Sequence, residues 1–322
     1  SETNAEKLVI AIKEFGLASL GLAVGVGALK SITTGYSNVA IGNNSMENTT
    51  TGDRNVAVGD ATLNANISGV YNTALGNEVL RNNTTGSRNA GVGMNSLLSN
   101  TTGNNNSTLG MYALKDNTTG SGNIALGSDA LSSNVANSGS IAIGNNAMLY
   151  SDNRTSGRTT ANTAVGHESM QGSATAANNI GQYNSVLGYQ TLIANTSGNY
   201  NSGLGYRALY TNTSGEDNMA SGAAALYQNT TGSFNTAIGN NALYSNKGNE
   251  KSVAIGHNAM FYADDRTAGR TAANVAIGYE ALKANTTGSP NVALGYQALA
   301  ANTIEQLTAE TTETQIAEVL FK

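Results

Sequence analysis

Short apolar segments recur along this chain at a nearly constant distance, and each segment ends on a glycine. Twelve of the fifteen intervals between these glycines are 17 residues, and the other three are 22. The glycines are Gly25, Gly42, Gly59, Gly76, Gly93, Gly110, Gly127, Gly144, Gly166, Gly188, Gly205, Gly222, Gly239, Gly256, Gly278 and Gly295. A fixed short period is typical of a solenoid, in which each repeat forms one coil. We predict an all-β parallel β-roll, or β-solenoid, of about sixteen coils.

The segment before each glycine has the composition of a short strand. The residue directly before the glycine is aliphatic in fifteen of sixteen repeats, and the residue before that is alanine in twelve. In Asn123-Ile124-Ala125-Leu126-Gly127, for example, Ile124 and Leu126 share one face of the strand. We expect that pair to point inward and the alanine to point outward, against a tightly packed neighbour.

Equivalent positions of successive repeats are called a column here, and further columns complete the predicted coil. A leucine or methionine stands four residues past every glycine, which predicts a continuous apolar spine. Turn sequences such as Asn-Thr-Thr-Gly recur, for instance at 83–86 and 117–120. Asparagine also begins thirteen of the sixteen strand segments, so that stacked side chains can form hydrogen-bonded amide ladders.

The two ends lack the repeat and define three regions. Residues 1–20 are predicted to be an N-terminal helical cap or attachment segment, since Leu8, Ile12 and Phe15 fall on one helical face. Residues 21–302 are the solenoid array. Residues 303–322 are predicted to be a C-terminal helical cap or trimer clamp.

Composition excludes several functional classes. The net charge is −5 and only 11% of residues are charged, so the basic footprint of a nucleic-acid-binding protein is missing. Cysteine is absent, which removes thiolate metal sites and disulfides. Carboxylates within the array are sparse, and no nucleophile–base pair or phosphate loop is present. We therefore expect no enzymatic activity, no cofactor, no metal and no membrane insertion.

Two of the longer repeats carry nearly identical polar insertions with paired arginines. These are Arg154 and Arg158 in one copy and Arg266 and Arg270 in the other. Insertions on one face of a solenoid often form binding loops. The arginines are therefore candidates either for an Asp–Arg braced elbow or inter-chain contact, or for a ligand contact.

Tyrosines form the second group of candidate contact residues. Tyr189, Tyr206, Tyr279 and Tyr296 directly follow column glycines, and Tyr210, Tyr227 and Tyr244 directly follow the leucine column. Rows of aromatic side chains suit packing between chains and also suit contact with sugars. The sequence alone allows both interpretations.

The repeat resembles a known family. The unit at 232–249 and 288–302 is similar to the repeat of bacteriophage tail-fibre and related virion fibre proteins. The segment Ser252-Val253-Ala254-Ile255-Gly256 also resembles the head repeat of trimeric autotransporter adhesins, whose coil is usually shorter. The resemblance implies three identical chains, each a left-handed parallel β-roll, that form a rod binding a cell surface.

These implications lead to a specific functional expectation. We expect a structural virion fibre protein that adheres to a host surface, with itself, other virion proteins and a host glycan or protein as partners. The alternative is the head of a bacterial trimeric adhesin at the cell surface. A tailspike polysaccharide depolymerase ranks third.

Overall fold

The computed structural model describes residues 10–15, 19–151, 153–175, 178–263, 271–286 and 288–301, and the chain divides into two compact units. The first unit, Ser1–Ala161, contains β1 Ile10–Phe15, β2 Ser19–Val24, β3 Val39–Ile41, β4 Val56–Val58, β5 Thr73–Leu75, β6 Ala90–Val92, β7 Ser107–Leu109, β8 Ile124–Leu126 and β9 Ile141–Ile143. The second unit, Asn162–Lys322, contains β10 Thr163–Val165, β11 Ser185–Leu187, β12 Ser202–Leu204, β13 Met219–Ser221, β14 Thr236–Ile238, β15 Val253–Ile255, β16 Val275–Ile277 and β17 Val292–Leu294.

Each unit is a parallel β-solenoid, as the glycine period predicts. Every strand from β2 onward is followed by one coil, and within a unit it pairs in parallel with the strand of the next coil. The register places like positions together: Ile124 pairs with Ile141, Ala125 with Ala142, and Leu126 with Ile143. The repeat length and the strand positions are therefore confirmed.

The N-terminal segment differs from the prediction. The helix expected over residues 3–20 is wrong where the structure describes this segment, because β1 and β2 form an antiparallel pair with Ile10 opposite Val24 and Phe15 opposite Ser19. One edge of β2 pairs in parallel with β3 of the next coil. Its other edge pairs with β1, which is why residues 10–15 are extended rather than helical. Residues 1–9 and the predicted helix at 303–322 lie outside the described residues.

The predicted facing of the strand residues is also wrong. The central alanines, such as Ala40, Ala125 and Ala237, are buried, whereas the aliphatic residues on either side of them are half-buried or exposed. The spine of leucines and methionines is buried as predicted. The alanine thus faces the spine, and the larger aliphatic residues of the strand face outward.

The width of the coil explains this inversion. A Cβ atom added at Gly91, an alanine-column position, would lie 2.6 Å from Cγ1 of Val79 and 3.7 Å from Cδ1 of Leu97. Gly91 replaces the usual alanine in the coil after Val79, the only large residue that directly precedes a spine position. The interior of a coil therefore holds the spine residue, the residue before it and the central residue of the strand, with no room for two further aliphatic side chains from the same strand.

The spine residues also have an unusual backbone. Leu114, Leu131 and their equivalents adopt φ near 50°, the left-handed region that costs an L-residue about 1–2 kcal/mol. Burying the side chain returns about 1.5–3 kcal/mol. The amide of Leu114 also donates a hydrogen bond to the carbonyl oxygen of Ala130 in the next coil, at 2.9 Å. Burial and hydrogen bonding together hold this turn.

The glycine column marks a close approach between coils. Gly127 has φ +133°, and an added Cβ would lie only 2.5 Å from the carbonyl oxygen of Gly144. Both the backbone conformation and the contact exclude a side chain. The invariant glycine of the repeat is thus required by the distance between coils.

Replacing Gly127 with alanine should destabilise the first unit by more than about 2 kcal/mol, because it combines a Gly-only conformation with a backbone collision. Gly122→Ala is the matched control. Gly122 also has positive φ but nothing within 4 Å of an added Cβ, so that variant should lose about 1 kcal/mol. Denaturant unfolding of both variants measures the difference, and equal losses would contradict the account.

Asparagine ladders run through the coils of each unit, as predicted. At the strand start, the backbone N–H of Asn55 donates to Oδ1 of Asn38 at 3.0 Å, and its Nδ2 donates to the carbonyl oxygen of Gly69 at 2.9 Å. At the turn, Nδ2 of Asn83 donates to Oδ1 of Asn66 at 2.9 Å, and Nδ2 of Asn100 donates to Oδ1 of Asn83 at 2.7 Å. These buried amides are satisfied by the coils on either side.

Replacing Asn83 with alanine should cost about 2–4 kcal/mol, because the amides of Asn66 and Asn100 would each lose a buried partner. Asn82→Ala provides a control one residue away. Asn82 is exposed, its side chain makes no hydrogen bond within the described residues, and its loss should stay within about 0.5 kcal/mol. Thermal unfolding that ranks the two variants equally would show that the turn ladder is dispensable.

Candidate interaction surface

The outward residue at the end of each strand forms a continuous apolar row in each unit, which we call the aliphatic stripe. In the first unit it comprises Ile41, Val58, Leu75, Val92, Leu109, Leu126 and Ile143. In the second it comprises Val165, Leu187, Leu204, Ile238, Ile255, Ile277 and Leu294, interrupted by Ser221. None of these side chains is buried, and Leu109 is 54% exposed. A soluble single chain rarely presents such a row, so the stripe is a candidate binding face.

Tyr210, Tyr227 and Tyr244 form a ring ladder in the second unit that ends on Phe261. Successive ring centroids are 4.9, 5.0 and 4.9 Å apart, with interplanar angles of 3°, 1° and 4°. All four side chains are half-buried. Inside this ladder each ring covers the faces of its neighbours, so its members present edges and hydroxyl groups to solvent rather than ring faces.

The tyrosines that directly follow column glycines form two shorter ladders in the same unit. Tyr206 stacks on Tyr189 at 5.6 Å, and Tyr189 stacks on His167 at 5.5 Å. Tyr296 stacks on Tyr279 at 5.2 Å, and Tyr279 stacks on His257 at 5.4 Å. The four tyrosines are exposed. The structure therefore brings all seven predicted tyrosines into ordered ladders.

Arg207 connects two of these ladders. Its guanidinium lies 5.0 Å from the ring centre of Tyr206 and 5.1 Å from that of Tyr210. Its Nε donates to Oε1 of Gln190 at 2.7 Å, and Nε2 of Gln190 donates to Oε2 of Glu168 at 2.6 Å. Sequence reasoning missed Arg207, although an arginine directly after a tyrosine of the glycine-following column was a visible signal.

The predicted arginine loops belong in part to the first unit. Arg154 is exposed and Arg158 is half-buried. The inserted residues lie at the turn, since Thr159 forms a parallel bridge with Ser138 of the preceding coil. Arg266 and Arg270 lie outside the described residues. The candidate tyrosines belong to the second unit.

The carboxylates of the second unit sit in side-chain networks. Glu280 accepts hydrogen bonds from Nζ of Lys283 at 2.7 Å and from Nε2 of Gln297 at 2.9 Å, and these contacts lower the pKa of Glu280. A general acid for glycoside hydrolysis requires the opposite shift. Among the described residues, no group of three or more His, Cys, Asp or Glu side chains could hold a metal ion.

Comparisons with known proteins add no identification. Neither the family models nor the curated proteins include one that matches this chain. In the part of the chain that the structure describes, no helix is long and apolar enough to cross a membrane.

Burial and the neighbouring phenols of Tyr210 and Tyr244 raise the pKa of Tyr227 above its ordinary value of 10.0, against the opposing effect of Arg207. A raised pKa in the folded state favours the neutral phenol. The stabilisation that comes from this shift is complete below the pKa that Tyr227 has in the unfolded chain. It is lost as the pH rises through the pKa that Tyr227 has in the folded protein.

The free energy of unfolding should therefore fall above about pH 10, and it should fall less steeply in Tyr227→Phe, which keeps the stack without the ionising hydroxyl. Denaturant unfolding at a series of alkaline pH values measures this. Tyr296→Phe is the control, because Tyr296 is 74% exposed at the end of its ladder. An identical pH dependence in Tyr227→Phe and the parent chain would contradict the assignment.

Proposed function

We propose that this chain is a structural subunit of a homotrimeric virion fibre, which mediates or presents adhesion to a host surface. The observation that carries the proposal is the aliphatic stripe. A regular row of outward Ile, Val and Leu side chains on parallel strands is stabilised when a second copy covers it. Closed symmetry is the usual result of such self-association, and the resemblance of the repeat to fibre proteins favours three-fold symmetry and a left-handed coil.

The rest of the surface suits a role in presentation. The turns are built from Asn, Thr and Gly. Their Asn and Thr side chains form hydrogen bonds to neighbouring coils, as when Oγ1 of Thr84 donates to the carbonyl oxygen of Thr101 at 3.0 Å. The exposed positions of such turns are where solenoids carry binding residues.

The head of a bacterial trimeric adhesin remains the second candidate, because the segment at 252–256 resembles its strand motif. The two candidates share the trimer and differ in how the protein reaches the outside of the cell. An export signal upstream in the native gene would favour the adhesin, whereas detection of the chain in purified phage particles would favour the virion fibre.

Light scattering tests the assembly. The parent chain should have a native mass of three times 32.8 kDa. Replacing both Leu187 and Leu204 with serine, the residue that Ser221 already places in this column, should give monomers with an unchanged circular dichroism spectrum.

Ile67→Ser is the control for this pair, since Ile67 is 47% exposed but lies outside the stripe. It should leave the trimer intact. A parent chain that is monomeric at every concentration tested would contradict the proposal, and so would a trimer that survives both stripe replacements.

A further inference from the structure

The glycine-following ladder of the second unit is interrupted next to Arg207. Tyr189 and Tyr206 occupy successive coils in this column, and the next two coils carry Ala223 and Asn240. Backbone hydrogen bonds fix this order: the amide of Ala224 donates to the carbonyl oxygen of Tyr206 at 2.8 Å, and the amide of Asn241 donates to that of Ala223 at 2.9 Å. Alanine therefore stands where the ladder would continue with a ring.

On the side of the next coil, the Tyr206 ring has no aromatic partner among the described residues. The other face stacks on Tyr189 with an interplanar angle of 6°, and Tyr206 is 51% exposed. The next coil carries alanine both at 223 and at 224, so the positions below Tyr206 and Arg207 are both small. This leaves a gap one coil deep between Tyr206 and Arg207 on one side and Asn240 and Asn241 on the other. We call this gap the notch.

Arg207 stands at the edge of this notch. Its Nε is held by Gln190 and its guanidinium lies 5.0 Å from the ring centre of Tyr206 and 5.1 Å from that of Tyr210, but its terminal nitrogens have no hydrogen-bond or ion-pair partner among the described residues. A planar guanidinium held in this way is suited to bidentate binding of a carboxylate.

Arg54 in the first unit shows what a purely structural arginine of this kind looks like. It lies 4.7 Å from the ring centre of Tyr36 and 5.3 Å from that of Tyr71. Its Nη1, however, contacts Oδ2 of Asp53 at 2.8 Å and the hydroxyl of Tyr71 at 2.9 Å. Arg54 is thus neutralised within its own unit, whereas Arg207 is not.

The opposite wall of the notch offers polar groups. Asn240 is exposed, and its side-chain amide makes no hydrogen bond within the described residues. Nδ2 of Asn241 donates to Oδ1 of Asn258 at 3.1 Å, and Oδ1 of Asn241 accepts no hydrogen bond within the described residues. The notch therefore combines a ring face, a fixed cation and amide groups that can bond to hydroxyls.

We propose that this notch binds one carboxylate-bearing sugar residue of a surface polysaccharide. The sugar ring packs on the free face of Tyr206, its carboxylate pairs with Arg207, and its hydroxyls bond to Asn240 and Asn241. The proposal deepens the host-surface role given above by naming the ligand class and the residues that select it.

Calorimetric titration of the full chain with glucuronic acid oligomers, and with glucose oligomers of equal length, tests the site. The acidic oligomers should bind, and Arg207→Gln should weaken them at least about tenfold, because a charge-assisted hydrogen-bonded pair is lost. Arg54→Gln is the matched control and should bind as the parent chain does. Ala223→Tyr should extend the Tyr189–Tyr206 ladder, fill the notch and abolish binding.

Three results would overturn the proposal: no heat with the acidic oligomers, equal binding of the glucose oligomers, or equal losses in Arg207→Gln and Arg54→Gln. A change of native mass in Arg207→Gln would also overturn it, since that would place Arg207 between chains. Should Ala223→Tyr fail to fold by circular dichroism, the two arginine variants still decide. Failure of the fibre proposal is seen separately, as a monomeric mass of the parent chain.

Discussion

The close approach of successive coils at the glycine column is the constraint on which the rest of this structure depends. A Cβ at Gly127 or Gly239 would meet the carbonyl oxygen of the next column glycine at 2.5 Å. Without a side chain at this column, the coils of each unit can stack at the strand spacing of about 4.8 Å. Like residues then stack on like residues, and every column of the repeat becomes a ladder. The ladders use different forces, which are hydrogen bonds in the asparagine columns and ring stacking in the tyrosine columns.

The same constraint produces a narrow interior. Because one leucine or methionine and two small residues fill most coils, the aliphatic residues that flank the central residue of each strand lie outside. A conventional domain would bury these residues within its own core. Here each unit leaves much of its apolar strand surface uncovered, and we propose that other copies of the chain cover it.

The period, the strands, the spine and the asparagine ladders could all be predicted from the sequence, since each follows from a residue type that recurs at a fixed spacing. Which face of each strand is buried could not be predicted. Alternating residues of a strand point to opposite faces, so Ala125 and Leu126 lie on different faces, but the alternation does not show which of them is inside. The pairing of Val79 with Gly91 carried that information, since two compensating exceptions indicate contact. At the N-terminus, the apolar spacing of Leu8, Ile12 and Phe15 suggested a helix, but pairing with β2 decides the structure of residues 10–15. The tyrosine columns were visible in the sequence, whereas the notch beside Arg207 depends on neighbours that only the register brings together.

Thiol accessibility tests the central claim, that the outward stripe is covered by other copies of the chain. The protein has no cysteine, so Leu126→Cys and Ala125→Cys place a single thiol on the stripe and in the interior respectively. The account predicts that the thiol at position 126 reacts slowly at concentrations where the protein is assembled and rapidly after dilution to monomers. The thiol at position 125 should stay unreactive in both states. Rapid reaction at position 126 at every concentration would mean that water, rather than another chain, covers the stripe.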